Sequence, residues 1–302
     1  MVAQLQHGIL LLDKRSGITS ARAISEVKRL IHPDRIGHAG TLDPMATGLL
    51  VCLIGSATRF ASFAAHGNKI YSGTIQFGLV TDSDDITGAV LEEREVNFNS
   101  EQMLHVAKSL TGTIQQVPPR VSAIKIQGRK SYDLARAGSQ HEMVARTVQI
   151  LRFDLKLLSS TVAEFEVECS GGTYIRSLAR DLGAKLTCGA TLASLRREAS
   201  APFNVQDAVT IERLTSDAIR DVRELLPGAP SIELTAAELV LAEHGDERLF
   251  SQISERILNA LGNAANGLVL LVTGNAGNSS PTRGAIIVEE GTLKFGPMLR
   301  ER

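Results

Sequence analysis

Residues 37–50 read GHAGTLDPMATGLL, and they hold the strongest chemical signal in the chain. Asp43 is the only carboxylate of the stretch and His38 its only imidazole, while Gly37, Gly40 and Gly48 admit backbone shapes that other residues resist. Pro44 follows the aspartate and fixes the next φ angle. A lone carboxylate so placed can stabilise a developing cation or attack it. Other chemistries fit the letters less well. A phosphate-binding loop needs Lys and then Ser or Thr after its last glycine, whereas Leu49 and Leu50 follow Gly48. A metal site lacks a further His, Cys or Glu at ligand spacing. An Asp-Pro pair also starts helices, with Asp as the cap and Pro in the first turn, so the residue types alone leave a helix start and a reactive site both open.

Further candidates lie along the chain. Tyr71, Gly73, Ile75 and Phe77 alternate with Ile70, Ser72, Thr74 and Gln76, which predicts a strand carrying Tyr71 on one face. Asp82, Asp84 and Asp85 lack the Gly and Glu spacing of a calcium loop and read as a turn. In SGGTYIRSLARDLGAKL, Gly171 and Gly172 predict a turn, Thr173 a cap, and Ile175, Leu178, Ala179, Leu182 and Leu186 one helix face. Tyr174 and Arg176 fall at the junction, off that face. For them a core-edge tyrosine and a surface charge are the plain alternatives to a site.

The elements that must carry these residues are legible in outline. Residues 8–14 read as an apolar strand, and Ile24, Val27, Leu30 and Ile31 predict an amphipathic helix over 20–31, capped by Thr19 or Ser20. Leu49 to Ile54 is a buried strand or helix, and residues 55–66 and 100–112 read as helices, the latter capped by Ser100. Pro118 and Pro119 interrupt regular structure; Ser122 to Ile126 suggests a strand and Tyr132 to Ala137 a helix. Arg146 to Phe153 and residues 161–169 alternate as strands, acidic helices are expected over 207–226, and Pro227, Gly228 and Pro230 mark a linker. Beyond it, a helix over 247–261, two β segments in GLVLLVTG and GAIIVEEGTLKFGPM, and a loop in GNAGNSSPTRG are expected.

Composition narrows the function classes. The 302 residues suffice for one large domain and one small one, with an ordinary apolar share of 43% and charged share of 22%. Cys52, Cys169 and Cys188 form an odd set without a close pair, which fits a reducing cytoplasm. No apolar run reaches membrane-helix length, and the first residues lack the basic start and small-residue cleavage site of a signal peptide. Net charge is −1, but residues 204–262 hold 5 Arg or Lys against 11 Asp or Glu, so the preceding part is basic. Within 120–152 stand seven basic residues, Lys125 and Arg146 among them, against two acidic ones. Such a patch binds phosphates or simply faces solvent.

Six ordered segments between residues 8 and 203 resemble the bacterial tRNA pseudouridine-55 synthases, the TruB family. GHAGTLDPMATGLL matches the G-x-L-D-P-x-A-T-G signature. LDKRSGITS matches the family's D-K-P-x-G-x-T-S, with Arg15 in place of the proline; NKIY and TDSDD match K-x-Y and T-D-T-x-D, with Ser83 in place of the second Thr. PPRVSAIK matches P-P-x-Y-S-A-x-K, with Val121 where an aromatic is usual, and GTYIR and Leu195-Arg196-Arg197 complete the series. The resemblance implies an α+β pseudouridine synthase fold, a mixed and largely antiparallel sheet flanked by helices. It implies a catalytic domain over 1–226 and a small β-rich, RNA-binding domain over 231–302.

It also implies isomerisation of uridine to pseudouridine in the T arm of tRNA, by a cytoplasmic, cofactor-free and monomeric enzyme. That reaction detaches uracil from its sugar, turns it and rejoins it through carbon 5, so neither redox nor phosphoryl chemistry enters. The resemblance makes Asp43 the catalytic residue and Arg176 its partner. It sets Tyr71 against the target base, with a phenol able to shuttle a proton, and Tyr174 on the other side. Leu195 walls the site, His38 fills the space that the extracted base leaves, and Lys125 borders the site. A non-catalytic RNA-binding or RNA-folding protein, and a synthase acting on another RNA, are the alternatives.

Overall fold

In the computed structural model, which describes residues 7–120, 125–126, 129–130, 143–262, 266–272, 282–289 and 292–299, two adjacent strands carry apolar residues on both faces. Strand β1 (Gly8–Lys14) pairs antiparallel with the chain over Thr47–Ile54, and neither has a solvent side. Alternate residues go to opposite faces. Leu10, Leu12, Leu50, Cys52 and Ile54 join one core, while Ile9, Leu11, Leu49, Val51 and Leu53 join another. The runs ILLL and LLVCLI are therefore strands buried on both faces, and LLVCLI is not a helix.

In chain order the next strands are β2 (Ile36–Ala39), β3 (Thr47–Ile54), β4 (Lys69–Phe77), β5 (Leu79–Thr81), β6 (Val90–Glu93), β7 (Gly112–Gln116), β8 (Lys125–Ile126), β9 (Arg129–Lys130), β10 (Arg146–Leu157), β11 (Val162–Cys169), β12 (Ala190–Ser200) and β13 (Phe203–Asn204). The main sheet runs β1-β3-β12-β4-β11-β10-β7, with β2 beside β3 and β13 beside β12. Within this sheet, among the described residues, only β3 and β12 pair in parallel. Helices α1 (Ser20–Ile31), α3 (Ser100–Ser109) and α4 (Ile175–Lys185) cover one face, and α2 (Ala61–His66), after a 3-10 turn at Gly55–Phe60, packs on the other. This is the expected α+β fold.

The chain then forms β14 (Ser231–Glu233), α5 (Ala236–His244), α6 (Arg248–Leu261), β15 (Gly267–Val272), β16 (Thr282–Glu289) and β17 (Thr292–Met298), the four strands making a second sheet. Leu270, Ala285 and Leu299 share a core with Phe60, Phe203 and Leu225. Asp221 accepts hydrogen bonds from Thr282 N at 3.0 Å and Thr282 Oγ1 at 2.6 Å, tying the second sheet to the main body.

Several expectations need correction. Residues 207–226 form short 3-10 turns at Val205–Asp207, Ile211–Arg213, Ser216–Ala218 and Val222–Leu225. Thr210, Thr215 and Asp221 precede three of them, and such side chains favour turn starts over continuous helix. The cap of α3 is Asn99, in a reciprocal box with Gln102, and the helix ends at Ser109. Tyr174, not Thr173, precedes α4 and caps it through its backbone position alone. Residues 132–137 and most of GNAGNSSPTRG lie outside the described residues.

Candidate active site

Asp43 sits between β2 and β3 in a loop pinned from several sides, and no helix starts there: Ala46 N donates to Asp43 O at 3.1 Å, a single turn before β3 begins. Ser20 Oγ donates to Leu42 O at 3.0 Å and accepts from Leu42 N at 2.9 Å. Ser16 Oγ donates to Met45 O at 2.9 Å, and Gly17 N to Pro44 O at 2.8 Å. Lys14, almost wholly buried, donates through Nζ to Ile18 O and Arg15 O and reaches Pro44 O at 3.4 Å. Burial lowers this ammonium to about 8, the charge of Asp43 opposing and that of Arg197 adding to the shift. The LDKRSGITS segment thus sets the backbone that aims Asp43. At Gly48, φ is +97° and an added Cβ would stand 2.3 Å from Arg197 O, so only glycine lets β3 approach β12 here.

Arg176 occupies the first turn of α4 and is 4% exposed. It is no surface charge: Nε donates to Asp43 Oδ2 at 2.9 Å and Nη2 to Oδ1 at 3.0 Å, a fork that fixes the carboxylate's plane. Its remaining arm, Nη1, donates to Ser83 O at 2.8 Å and lies 3.6 Å from Asp85 Oδ2. The Asp-rich turn is what orients the arginine. Asp85 Oδ1 accepts from Ser83 Oγ, Thr87 N and Thr87 Oγ1. One turn further along α4, Arg180 Nη1 donates at 2.9 Å to Asp84, which adopts φ 61°; burial raises that carboxyl above its ordinary range, and Arg180 opposes the shift.

A cavity of about 290 Å³ opens over the pair, lined by Asp43, Lys69, Tyr71, Tyr174, Leu195 and Arg197 among others. Strand periodicity supplies the wall: Lys69 and Tyr71 alternate inward on β4, and Leu195 and Arg197 on β12, where Arg197 stands opposite Tyr71. Burial raises the Tyr71 phenol above the usual tyrosine value, with Arg197 pulling the other way. Tyr174 is clamped at its backbone by the buried Gln116, whose Oε1 accepts from Tyr174 N at 2.8 Å and whose Nε2 donates to Tyr174 O at 3.1 Å. The Arg146 guanidinium lies over the Tyr174 ring, 5.2 Å from its centre.

The structure therefore gathers Asp43, Tyr71, Tyr174, Arg176 and Leu195 around one cavity. His38, on β2 opposite Cys52, is not in its wall; the Nδ1 atom is buried without a hydrogen-bond partner, and burial, with Arg197, lowers the ring's basicity. Lys125 lies in β8, and its side chain falls outside the described residues. Sequence reasoning placed Lys69, Asp85 and Arg197 in matched segments without giving them a role, and it missed Gln116. The two cations had a signal, since each sits two residues from a predicted wall residue on an alternating strand.

What the arrangement offers is one oriented carboxylate in a lined cavity, apolar and aromatic surfaces for a flat ring, and cations beyond the one that pairs with Asp43. Family models match the chain over its main body. The TruB family pseudouridylate synthase N-terminal domain matches residues 28–175, and the tRNA pseudouridylate synthase B C-terminal domain matches residues 176–226. The tRNA pseudouridine synthase B of Solibacter usitatus (strain Ellin6076) is 41% identical over 244 residues, 77% of this chain and 83% of that protein. The chain belongs to the TruB family. The tRNA pseudouridine synthase B of Thermobifida fusca (strain YX) is likewise 41% identical, over 80% of this chain and 86% of its own.

As a TruB-family member the protein is a tRNA pseudouridine synthase, an isomerase that converts uridine in tRNA to pseudouridine. Solved structures agree on the fold. A chain from an H/ACA RNP bound to a substrate RNA containing 2′-deoxyuridine superposes with a TM-score of 0.68 at 18% identity, over 99% of this chain and 87% of that one. One from a Cbf5-Nop10-Gar1 complex gives 0.69 at 20%, over 99% and 85%. All three cysteines are free and buried, and among the described residues no helix is long and apolar enough to cross a membrane.

Proposed function

We propose that this TruB-family enzyme acts at position 55 in the T arm of tRNA, and that Asp43 is the residue on which the reaction turns. The observation that carries the reading is the two-bond fork from Arg176 to Asp43 at the edge of a cavity that Tyr71 also lines. The glycosidic bond breaks through a cation-like sugar carbon, and a carboxylate held in one plane beside that carbon can stabilise it or add to it. The guanidinium holds both carboxylate oxygens and fixes their direction. Shielding matters too, because water reaching the intermediate would leave an abasic site.

The target base is stacked inside a folded loop and must be drawn out first. Tyr71 supplies the new stacking surface, worth about 1–3 kcal/mol for a base on an aromatic ring, with Tyr174 and Leu195 completing the slot. His38, outside the cavity wall, fills the gap left in the RNA, and Lys125 belongs to the basic stretch that meets phosphates. Residues 1–226 form the catalytic unit and 231–302 a small RNA-binding unit. The enzyme works in the cytoplasm, as a monomer and without a cofactor, since the isomerisation moves no electrons to an acceptor and no phosphoryl group.

The test is to incubate the protein with unmodified tRNA, in chelator and without added cofactor, and map pseudouridine by position. A single new pseudouridine at position 55 is expected; modification confined to other positions refutes the T-arm assignment.

A further inference from the structure

Arg197 is among the largest fully buried side chains, 1% exposed. A guanidinium out of water ordinarily lies against a carboxylate, because an unpaired buried charge is costly. Among the described residues no carboxylate lies within ion-pair reach of this one. Its Nε donates to Leu49 O at 2.6 Å and Nη2 to Gly40 O at 3.0 Å, both neutral acceptors. An added Cβ at Gly40 would stand 3.1 Å from Nη1 and 3.7 Å from Lys69 Cε, so two cationic side chains converge where the glycine leaves room. Among the described residues Lys69 Nζ likewise donates to neutral acceptors, the carbonyls of Ala65 and Gly67. Both residues line the same cavity as Asp43. The one carboxylate of that wall is already matched by Arg176, so the cavity carries an excess of positive charge. Neighbouring groups register it: after burial, the charge of Arg197 is the next cause that lowers Lys69 and His38.

We propose that Arg197 is a further catalytic residue, the cation that receives the negative charge of the detached uracil. This rests on the isomerase reading of the site. When the C1′–N1 bond breaks, its electron pair leaves on N1. The base is then an anion whose charge is shared with its carbonyl oxygens, and the sugar carbon is a cationic centre beside Asp43. The ring turns, C5 forms the new bond to C1′, the C5 proton goes to a base and N1 takes up a proton, so composition is unchanged. Asp43 answers the positive half of the separated pair and Arg197 the negative half. Two backbone carbonyls hold the guanidinium in advance, so it need not reorganise as charge develops. The absence of a carboxylate on Arg197 then has a use: a resident anion would compete with the uracil anion.

Single-turnover rates for wild type, Arg197→Lys and Arg197→Gln, on tRNA with uridine or 5-fluorouridine at the target, test the proposal, with loss of the original glycoside as readout. Fluorine makes the ring a better leaving anion. For folded Arg197→Gln we expect a loss on uridine of about 100-fold or more, the scale for removing a stabilising donor. The loss on 5-fluorouridine should be at least ten-fold smaller, Arg197→Lys should be intermediate, and tRNA affinity should stay within two-fold. Equal slowing on both substrates, or a loss seen only in tRNA affinity, overturns the proposal. If melting curves show that neither variant folds, the wild type decides: 5-nitrouracil, readily ionised, should compete at least ten-fold better than uracil above its ionisation, and equal or weaker competition overturns the proposal. Pseudouridine formation by the wild type in the same assay tests the isomerase reading separately.

Discussion

Replacing Arg176 by lysine keeps the charge and removes the fork. The arginine makes two bonds to Asp43, at 2.9 and 3.0 Å, and a third to Ser83 O at 2.8 Å. A lysine ammonium is a point charge on a flexible stem and cannot hold both carboxylate oxygens and the Ser83 carbonyl in one plane. Hydrogen bonds to charged groups contribute about 1.5–3 kcal/mol each. Losing one carboxylate bond and the planar constraint should remove about 2–4 kcal/mol from the transition state, a fall of roughly 30- to 900-fold in rate. Single-turnover pseudouridine formation with saturating enzyme measures the fall directly. Filter binding of the same tRNA should change by less than two-fold, because the Arg176 side chain is only 5% exposed and offers little surface to RNA. A rate within three-fold of wild type would refute the argument that the fork orients Asp43.

Lys14 gives a pH prediction. Its folded value, about 8, lies below the ordinary 10.5, so between those values the unfolded chain binds more protons and stability due to this group rises with pH. Urea midpoints from pH 7.5 to 10.5 should therefore climb more steeply for wild type than for Lys14→Met, and parallel curves would contradict this. Gly48→Ala should destabilise by more than about 2 kcal/mol or abolish folding, since the new Cβ meets Arg197 O at 2.3 Å in a φ range that L side chains resist; thermal melting checks it. Asp221→Ala removes both bonds to Thr282 and should cost about 1–3 kcal/mol, loosening the second sheet; hydrogen exchange over Gly267–Val272 should rise first.

The parts of this fold that could be read from sequence are those where one physical signal dominates. Strands β4 and β11 alternate cleanly, α1 keeps a helical apolar stripe, and Thr19 caps it through the bond from Arg22 N. The Asp43–Arg176 pairing came from motif resemblance, because the two residues stand 133 positions apart and no local pattern joins them. Buried polar residues were harder. Arg197 and Lys69 stand in matched segments without an assigned role, and strand alternation puts them on the inward side with Leu195 and Tyr71. Gln116 carries no chemical signature at all; its role as the clamp on Tyr174 exists only through tertiary hydrogen bonds. Helix α5 was overlooked although Thr235 and Glu238 spell a capping box, and in the stretch 207–226, read as helix, Thr210, Thr215 and Asp221 precede short turns instead, Asp221 accepting from Arg223 N.

The proposed reaction turns on Asp43, and the change of its carboxylate to a carboxamide tests that role most directly. Asp43→Asn keeps size and shape, so tRNA should bind within about two-fold of wild type while pseudouridine formation falls by at least roughly 10,000-fold, the scale set by removing a group that acts on the reacting carbon. Pseudouridine appearing at the wild-type rate with the asparagine protein would remove Asp43 from the reaction.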